Sequence, residues 1–152
     1  MDYSSMSLSF GIVRRRIQSL VVEALVDLGL TYAEISLLLM LYDREGCNQE
    51  DMTALLHVDK AALTRVIKKL ETKGFLCRKQ DALDRRLKRL YLTDEGKKHE
   101  SRIKENVNKI IIYLSEGYTQ KEAYFFENCL HDMAQKLGRA TASDIFGEGR
   151  DR

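Results

Sequence analysis

The stretch that decides the fold is residues 58–96, which read VDKAALTRVIKKLETKGFLCRKQDALDRRLKRLYLTDEG. In order, it carries a helical pattern, a short strand, a charged tip, a second strand and the start of another helix. Residues 60–89 contain 11 Lys or Arg against three acidic residues, a net charge of +8 in a chain whose net charge is +2. Such polarisation favours a surface that meets a polyanion, and a helix followed by a basic hairpin is a DNA-reading shape.

The composition of the whole chain indicates a globular protein, since 152 residues with 44% hydrophobic and 32% charged residues suffice for one domain with a real core. Cys47, Cys77 and Cys129 are odd in number and widely spaced, which predicts reduced thiols rather than a disulfide framework. Arginines at 14–16 stand where a secretory signal would be apolar, and the longest apolar run, 37–42, is too short to span a membrane. We therefore expect a cytoplasmic protein without a membrane partner.

The spacing of apolar residues outward from this stretch predicts a mainly α fold with a small β-hairpin, a winged helix-turn-helix with six helices. Capping boxes at Thr31 with Glu34 and at Thr119 with Glu122 predict the starts of the second and sixth helices. After Gly138 we expect a frayed tail. The predicted helices are 8–28, 31–46, 49–56, 60–73, 94–115 and 120–137, and the predicted strands are 75–79 and 89–93, joined by a charged tip at 80–88.

The predicted fourth helix has two faces, one apolar and one basic. Small residues near its start would let the backbone approach a groove floor, Thr64 could touch a thymine methyl or a polar base edge, and Arg65 could fork onto guanine. In isolation a solvated basic face explains the pattern equally well. The short helix before it and the basic hairpin after it favour DNA. The candidate contacts on this helix are Lys60, Ala61, Ala62, Thr64, Arg65 and Lys68.

The hairpin tip is the second candidate DNA contact. Arginine suits a narrow minor groove because its planar, weakly hydrated head is attracted to the enhanced negative potential there. An adjacent aspartate can hold the guanidinium or the turn in place. The plainer interpretation is a solvated turn, although so dense a group of cations would be a poor choice for that alone. The candidates here are Asp84, Arg85, Arg86 and Lys88.

The order and spacing of several short motifs resemble those of the multiple-antibiotic-resistance regulator (MarR) family of winged helix-turn-helix repressors. The resemblance covers residues 30–96 and departs from the family at Ala82, where the wing often has proline. It implies a homodimer on pseudo-palindromic double-stranded DNA, held by the first, fifth and sixth helices. The motifs that carry it are Thr64-Arg65, Leu70-Glu71-Thr72-Lys73-Gly74-Phe75, Asp81-Ala82-Leu83-Asp84-Arg85-Arg86 and Leu90-Tyr91-Leu92-Thr93-Asp94-Glu95-Gly96.

The same resemblance implies a division of the chain and an effector cleft, often for phenolic or other aromatic anions. Candidate lining residues for the effector are Ile17, Leu20, Leu38 and Tyr42, although nothing in the sequence distinguishes them from core residues. The implied segments are a dimerisation helix at 1–29, the winged helix-turn-helix at 30–96, dimerisation helices at 97–140 and a tail at 141–152.

Sensing through a cysteine or a metal is not predicted. Peroxide-sensing members of the family use a cysteine near the start of the first helix, where this chain has none. His57, His99 and His131 are scattered, while Cys129 and His131 are two apart and point to opposite sides of a helix. We therefore predict no metal and no cofactor.

Three classes of function can be compared from the sequence. The prediction is a dimeric, sequence-specific transcriptional regulator, acting as a repressor that a small molecule relieves. The alternative is a winged-helix interaction module whose basic face meets an acidic protein without reading DNA sequence. An enzyme is not predicted, because the chain has no glycine-rich phosphate loop, nucleophile elbow or paired carboxylate constellation.

Overall fold

The computed structural model describes residues 3–147, which are mainly helical with one β-hairpin, as predicted. Within these residues there are eight α-helices rather than the six predicted. The elements in chain order are α1 (Tyr3–Ala24), a 3₁₀ turn (Val26–Leu28), α2 (Tyr32–Asp43), α3 (Gln49–Leu56), α4 (Lys60–Thr72), β1 (Leu76–Gln80), β2 (Lys88–Leu92), α5 (Asp94–Lys98), α6 (Glu100–Ser115), α7 (Gln120–Arg139) and α8 (Ala142–Phe146).

One of the two additional helices arises because the predicted fifth helix is broken at His99. Thr93 caps α5, as predicted, through a hydrogen bond from the Gly96 amide to its hydroxyl. Gly96 packs directly on the backbone carbonyl of Phe75, and the centroids of the Phe75 and His99 rings are 5.6 Å apart. These contacts hold α5 on the base of the hairpin, so the chain bends before α6 begins.

The other additional helix, α8, corrects the expectation of a frayed tail for the part that the structure describes. Thr141 and Asp144 form a capping box that starts it, and this pair is the local signal in the sequence for the additional helix. In addition, α7 continues through Gly138 to Arg139. The rest of the predicted tail, 148–152, lies outside the described residues.

Most of the other predicted helix boundaries agree with the structure, but α1 begins at Tyr3 rather than at residue 8, and α2 ends at Asp43 rather than at residue 46. Both predicted capping boxes are formed, at Thr31 with Glu34 and at Thr119 with Glu122. The predicted first helix is α1 followed by the 3₁₀ turn, which ends at Gly29 in the left-handed conformation, with φ +60°. Asn48 caps α3 at the predicted start of that helix, and Asp51 completes a capping box with it.

The hairpin is fastened to the helices through its second strand. β1 and β2 pair antiparallel from Leu76 opposite Leu92 to Gln80 opposite Lys88, and each strand lies one residue from its predicted position. The loop between α2 and α3 pairs with the other edge of β2. There the Gly46 amide donates to the Leu90 carbonyl at 2.9 Å, and the Leu90 amide donates to the Cys47 carbonyl at 2.9 Å.

The chain divides at Tyr113 into two compact units. The first has a continuous apolar core, whereas α7 and α8 in the second bury no residue. Across residues 3–147, none of the helices has the length and apolarity that a membrane span requires. The core of the first unit consists of Val21, Leu25, Leu30, Ile35, Leu37, Leu38, Leu41, Met52, Leu63, Ile67, Leu70, Phe75, Leu76, Leu90, Leu92 and Ile103.

A buried ion pair ties the start of α2 to the end of α4. The Glu34 carboxylate is fully buried, and Lys73 Nζ lies 2.9 Å from both of its oxygens and 2.7 Å from the Gly29 carbonyl oxygen. Burial raises the pKa of Glu34, but hydrogen bonds from Thr31 and Lys73 outweigh it and hold that pKa below its usual value. The charge of Lys73 therefore stabilises the fold by pairing with Glu34.

Candidate nucleic-acid interface

The helix-turn-helix geometry depends on a sharp turn between α3 and α4. His57, the last residue before the turn, adopts the left-handed conformation with φ +49°, which lets the chain reverse within two residues. Asp59 then caps α4, because its carboxylate accepts a hydrogen bond from the Ala62 amide at 2.7 Å. The start of α4 is thereby defined by local chemistry, at the residue that the sequence predicts.

The two faces of α4 are disposed as predicted. Leu63, Ile67 and Leu70 are buried in the core, and Val66 packs against it. Lys60 pairs with Glu50 at 3.3 Å, but both side chains are largely exposed, so this pair is weak and easily exchanged for another anion. The exposed candidates are Lys60, Ala61, Thr64, Arg65 and Lys68, whereas Ala62 is half-buried.

Thr64 is anchored by a residue that sequence reasoning missed. Its hydroxyl donates to the Lys60 carbonyl at 2.7 Å and accepts a hydrogen bond from Nε2 of Gln49 at 2.6 Å. Gln49 is the first residue of α3 and lies 15 positions earlier in the chain. No local pattern in the sequence signals this contact, because it depends on how α3 and α4 cross.

The wing tip is built around Asp81, which the sequence did not single out as a structural residue. Its Oδ1 accepts hydrogen bonds from the Leu83 amide at 2.8 Å and the Asp84 amide at 2.9 Å, and its Oδ2 accepts one from Arg89. The Asp84 amide, the Arg89 guanidinium and the Leu83 amide lower the pKa of Asp81 to about 2. The carboxylate is therefore charged at neutral pH and holds the loop in one shape.

The remaining bonds of the tip keep its cations exposed. Asp84 accepts a hydrogen bond from the Arg86 amide at 2.9 Å, so of its two predicted roles it performs the second, holding the turn. Gln80 donates to the Arg85 carbonyl at 2.9 Å. The side chains of Arg85, Arg86 and Lys88 are all exposed. The hydrogen-bonded backbone of the wing tip thus holds three cationic side chains that are exposed to solvent.

Not every cation of the basic segment is available to a ligand. Arg89 binds Asp81 and also donates to the Gly46 carbonyl at 2.9 Å, which fastens the tip to the loop before α3. Arg78 pairs with Glu71 at 3.2 Å, and Lys73 is bound to Glu34. The charge count from the sequence therefore overstates the charge that faces outward.

Comparisons with known proteins agree with this geometry. The sequence model of the MarR family matches residues 30–88. The chain is 36% identical over 114 residues to an uncharacterized HTH-type transcriptional regulator, YdgJ of Bacillus subtilis, covering 75% of this chain and 70% of that protein. It is 29% identical over 130 residues to a second such regulator of the same species, YybA, covering 85% of this chain and 86% of that protein. The chain belongs to the MarR family.

A solved structure shows the same fold over almost the whole chain. A MarR-family regulator from Listeria monocytogenes, whose structure was determined in complex with a 26mer DNA, superposes with a TM-score of 0.84 at 21% identity. The alignment covers 95% of this chain and 96% of that one. All three of these proteins are named transcriptional regulators.

The residues proposed for a MarR effector occupy different environments in this structure. Leu38 is fully buried in the core, Ile17 packs against the core and Leu20 is exposed. The Tyr42 hydroxyl donates to the Gly96 carbonyl at 3.0 Å, and burial raises its pKa to about 12. A shallow depression of the first unit contains none of the four. It is lined by Leu39, Asp43, Lys104, Val107 and Asn108.

Proposed function

We propose that the protein is a dimeric, sequence-specific DNA-binding regulator of the MarR family that represses transcription until a small molecule releases it. The observation that carries this proposal is the pairing of an exposed basic face on α4 with a braced, basic wing tip. A helix of this kind fits the major groove, and exposed arginines on a hairpin fit the adjacent minor groove. The fold is compatible with such docking, since the Listeria regulator was determined with DNA.

Exposed apolar surface supports a homodimer. In the second unit α7 carries exposed apolar side chains, with Phe126 61% and Leu137 67% exposed. In the first unit α1 exposes Leu8 and Ile12. Apolar patches of this extent favour burial against a partner. A second copy of the chain, joined through α1, α6 and α7, is the partner we propose.

The role of α4 is tested by selecting bound sequences from random duplex DNA. We expect Arg65→Ala to relax the preference at one base pair in each half-site, because Arg65 contacts a base edge. Lys68→Ala should instead lower affinity almost uniformly and flatten its salt dependence, since Lys68 contacts phosphate. An unchanged sequence preference for Arg65→Ala would contradict base reading by this residue. Binding without sequence preference in the wild type would favour the interaction module.

The role of the wing is tested by Arg86→Ala. We expect operator binding to weaken by ~1–3 kcal/mol per subunit, as for other specific DNA contacts. Lys98→Ala is the control, because Lys98 is equally cationic but lies on α5 and pairs with Glu95 at 3.5 Å. Titration of a labelled operator with each variant gives the comparison. Equal losses of operator affinity in the two variants would show that the wing is not part of the DNA interface.

The dimer predicts both the form of the operator and the effect of a charge on α7. Two recognition helices related by a two-fold axis would reach successive major grooves, so the half-sites should be inverted and ~34–36 Å apart. Phe126→Glu should give a monomer in sedimentation with weak, sequence-independent binding. Gln135→Glu adds the same charge on the same helix and should remain dimeric. A wild-type monomer that binds one asymmetric half-site tightly would overturn the dimer.

The effector and the cellular compartment stay predictions. An aromatic anion is the class of ligand that the family resemblance implies, with Ile17, Leu20, Leu38 and Tyr42 as its candidate contacts. Because Leu38 is fully buried, such a ligand would have to separate helices to reach it. Its binding should therefore shift the arrangement of α2 against its neighbours, which is the change that would release DNA. A cytoplasmic location follows from the proposed role.

A further inference from the structure

Thr64 and Gln49 form a small hydrogen-bonded unit on the surface shared by α3 and α4. The Gln49 amide nitrogen lies 2.6 Å from Thr64 Oγ1 and 3.3 Å from the Lys60 carbonyl oxygen. Since a carbonyl can only accept hydrogen bonds, the nitrogen of the amide must face this pair. Gln49 therefore donates one hydrogen bond to the threonine hydroxyl and another to the helix backbone.

The hydroxyl of Thr64 has no hydrogen left for a base. It carries a single hydrogen, which the Lys60 carbonyl accepts at 2.7 Å, while its oxygen accepts the bond from Gln49. Both partners hold the oxygen against the protein. The oxygen keeps one further acceptor lone pair, but both of its partners lie on the protein side. The γ-methyl group is therefore the apolar part of this exposed residue that neither partner engages.

We propose that Thr64, positioned by Gln49, selects thymine in each half-site through contact between its γ-methyl group and the thymine C5-methyl. This inference rests on the proposed function, because it needs α4 in the major groove. The C5-methyl is the apolar group that a base pair presents there, and it distinguishes thymine from the other bases. Burying one group of this size strengthens binding by about fourfold per half-site.

The test replaces each thymine of the selected operator, one position at a time, with deoxyuridine, which lacks only the C5-methyl. In the wild type, one replacement per half-site should lower affinity about fourfold. Thr64→Ser removes the γ-methyl and keeps the hydroxyl, so it should bind the thymine and uracil operators equally. Thr64→Val removes the hydroxyl and keeps the methyl, and valine has one strongly preferred rotamer in a helix without any hydrogen bond. It should therefore still discriminate as the wild type does.

Two further variants complete the experiment. Thr72→Ser is the matched control, because Thr72 lies on the same helix and bonds the Lys68 carbonyl four residues before it at 2.9 Å, as Thr64 does with Lys60. It should leave discrimination unchanged. Gln49→Ala, with circular dichroism and thermal unfolding like those of the wild type, should reduce discrimination between thymine and uracil. Threonine divides between two rotamers in a helix, and without Gln49 the one that presents the methyl group is no longer selected.

The outcomes separate this inference from the function on which it rests. Full discrimination by Thr64→Ser, loss of discrimination by Thr64→Val, or an operator insensitive to uracil at every position would overturn methyl contact while leaving DNA recognition intact. A selection that yields no preferred sequence would overturn both. Discrimination lost in Thr64→Ser and kept in Thr64→Val would support the inference.

Discussion

Replacing Lys73 with methionine should lower the free energy of unfolding by about 3 kcal/mol at neutral pH. The reason is that Glu34 would remain fully buried as an anion after losing both hydrogen bonds from the ammonium group. Urea denaturation followed by circular dichroism measures the change. Lys69→Met is the matched control, since Lys69 is an exposed lysine in the last turn of α4, just before Lys73, and its effect should stay within about 0.5 kcal/mol.

The pH dependence of this loss provides an independent check. The native pKa of Glu34 lies below its ordinary value of 4.5, so the stabilisation it contributes is present above that pH and is lost as the pH falls through the native pKa. In Lys73→Met, protonation would remove the unpaired charge. The difference in free energy of unfolding between the wild type and Lys73→Met should therefore become smaller as the pH falls and Glu34 takes up a proton. The double variant Glu34→Gln/Lys73→Met should recover part of the loss at neutral pH, and a deficit independent of pH in Lys73→Met would contradict this account.

Gly96→Ala should destabilise the protein by about 3 kcal/mol, because the position has no room for a side chain. A Cβ atom there would lie 2.1 Å from the backbone carbonyl oxygen of Phe75 and 3.2 Å from its carbonyl carbon. Backbone at the start of the hairpin cannot swing aside as a flexible side chain could. The thermal midpoint should fall, and binding to DNA should weaken because α5 and the wing base separate.

Gly11→Ala is the control for this substitution. Gly11 lies within α1, where an added Cβ would meet only the end of the Arg15 side chain at 3.8 Å. Alanine is the better helix former, so this variant should be more stable by about 0.5–1 kcal/mol. We expect the change in free energy of unfolding to have opposite signs in the two glycine variants. A neutral Gly96→Ala would show that α5 does not pack so closely on the hairpin.

Local signals in the sequence were sufficient for most of the helix-turn-helix and the wing. The apolar face of α4, its start at Lys60 and the charged tip between two short strands all lie where they were predicted, to within a residue at the strands. These features depend on residues at most a few positions apart, since helix and strand periodicity and capping act over that range. The family resemblance rested on the same stretch, and the family is confirmed.

The tertiary structure decided which of the polar residues face outward. Glu34 and Lys73 are 39 positions apart, and Gln49 and Thr64 are 15 apart, so no local pattern joins them. Arg89 belongs to the basic run in the sequence but is bound to Asp81 and to the Gly46 carbonyl. The break at His99 likewise follows from contact with Phe75. The sequence determines which side chains are charged. The packing of distant elements determines which partner each charged side chain contacts, and that partner determines whether the charge is available to DNA.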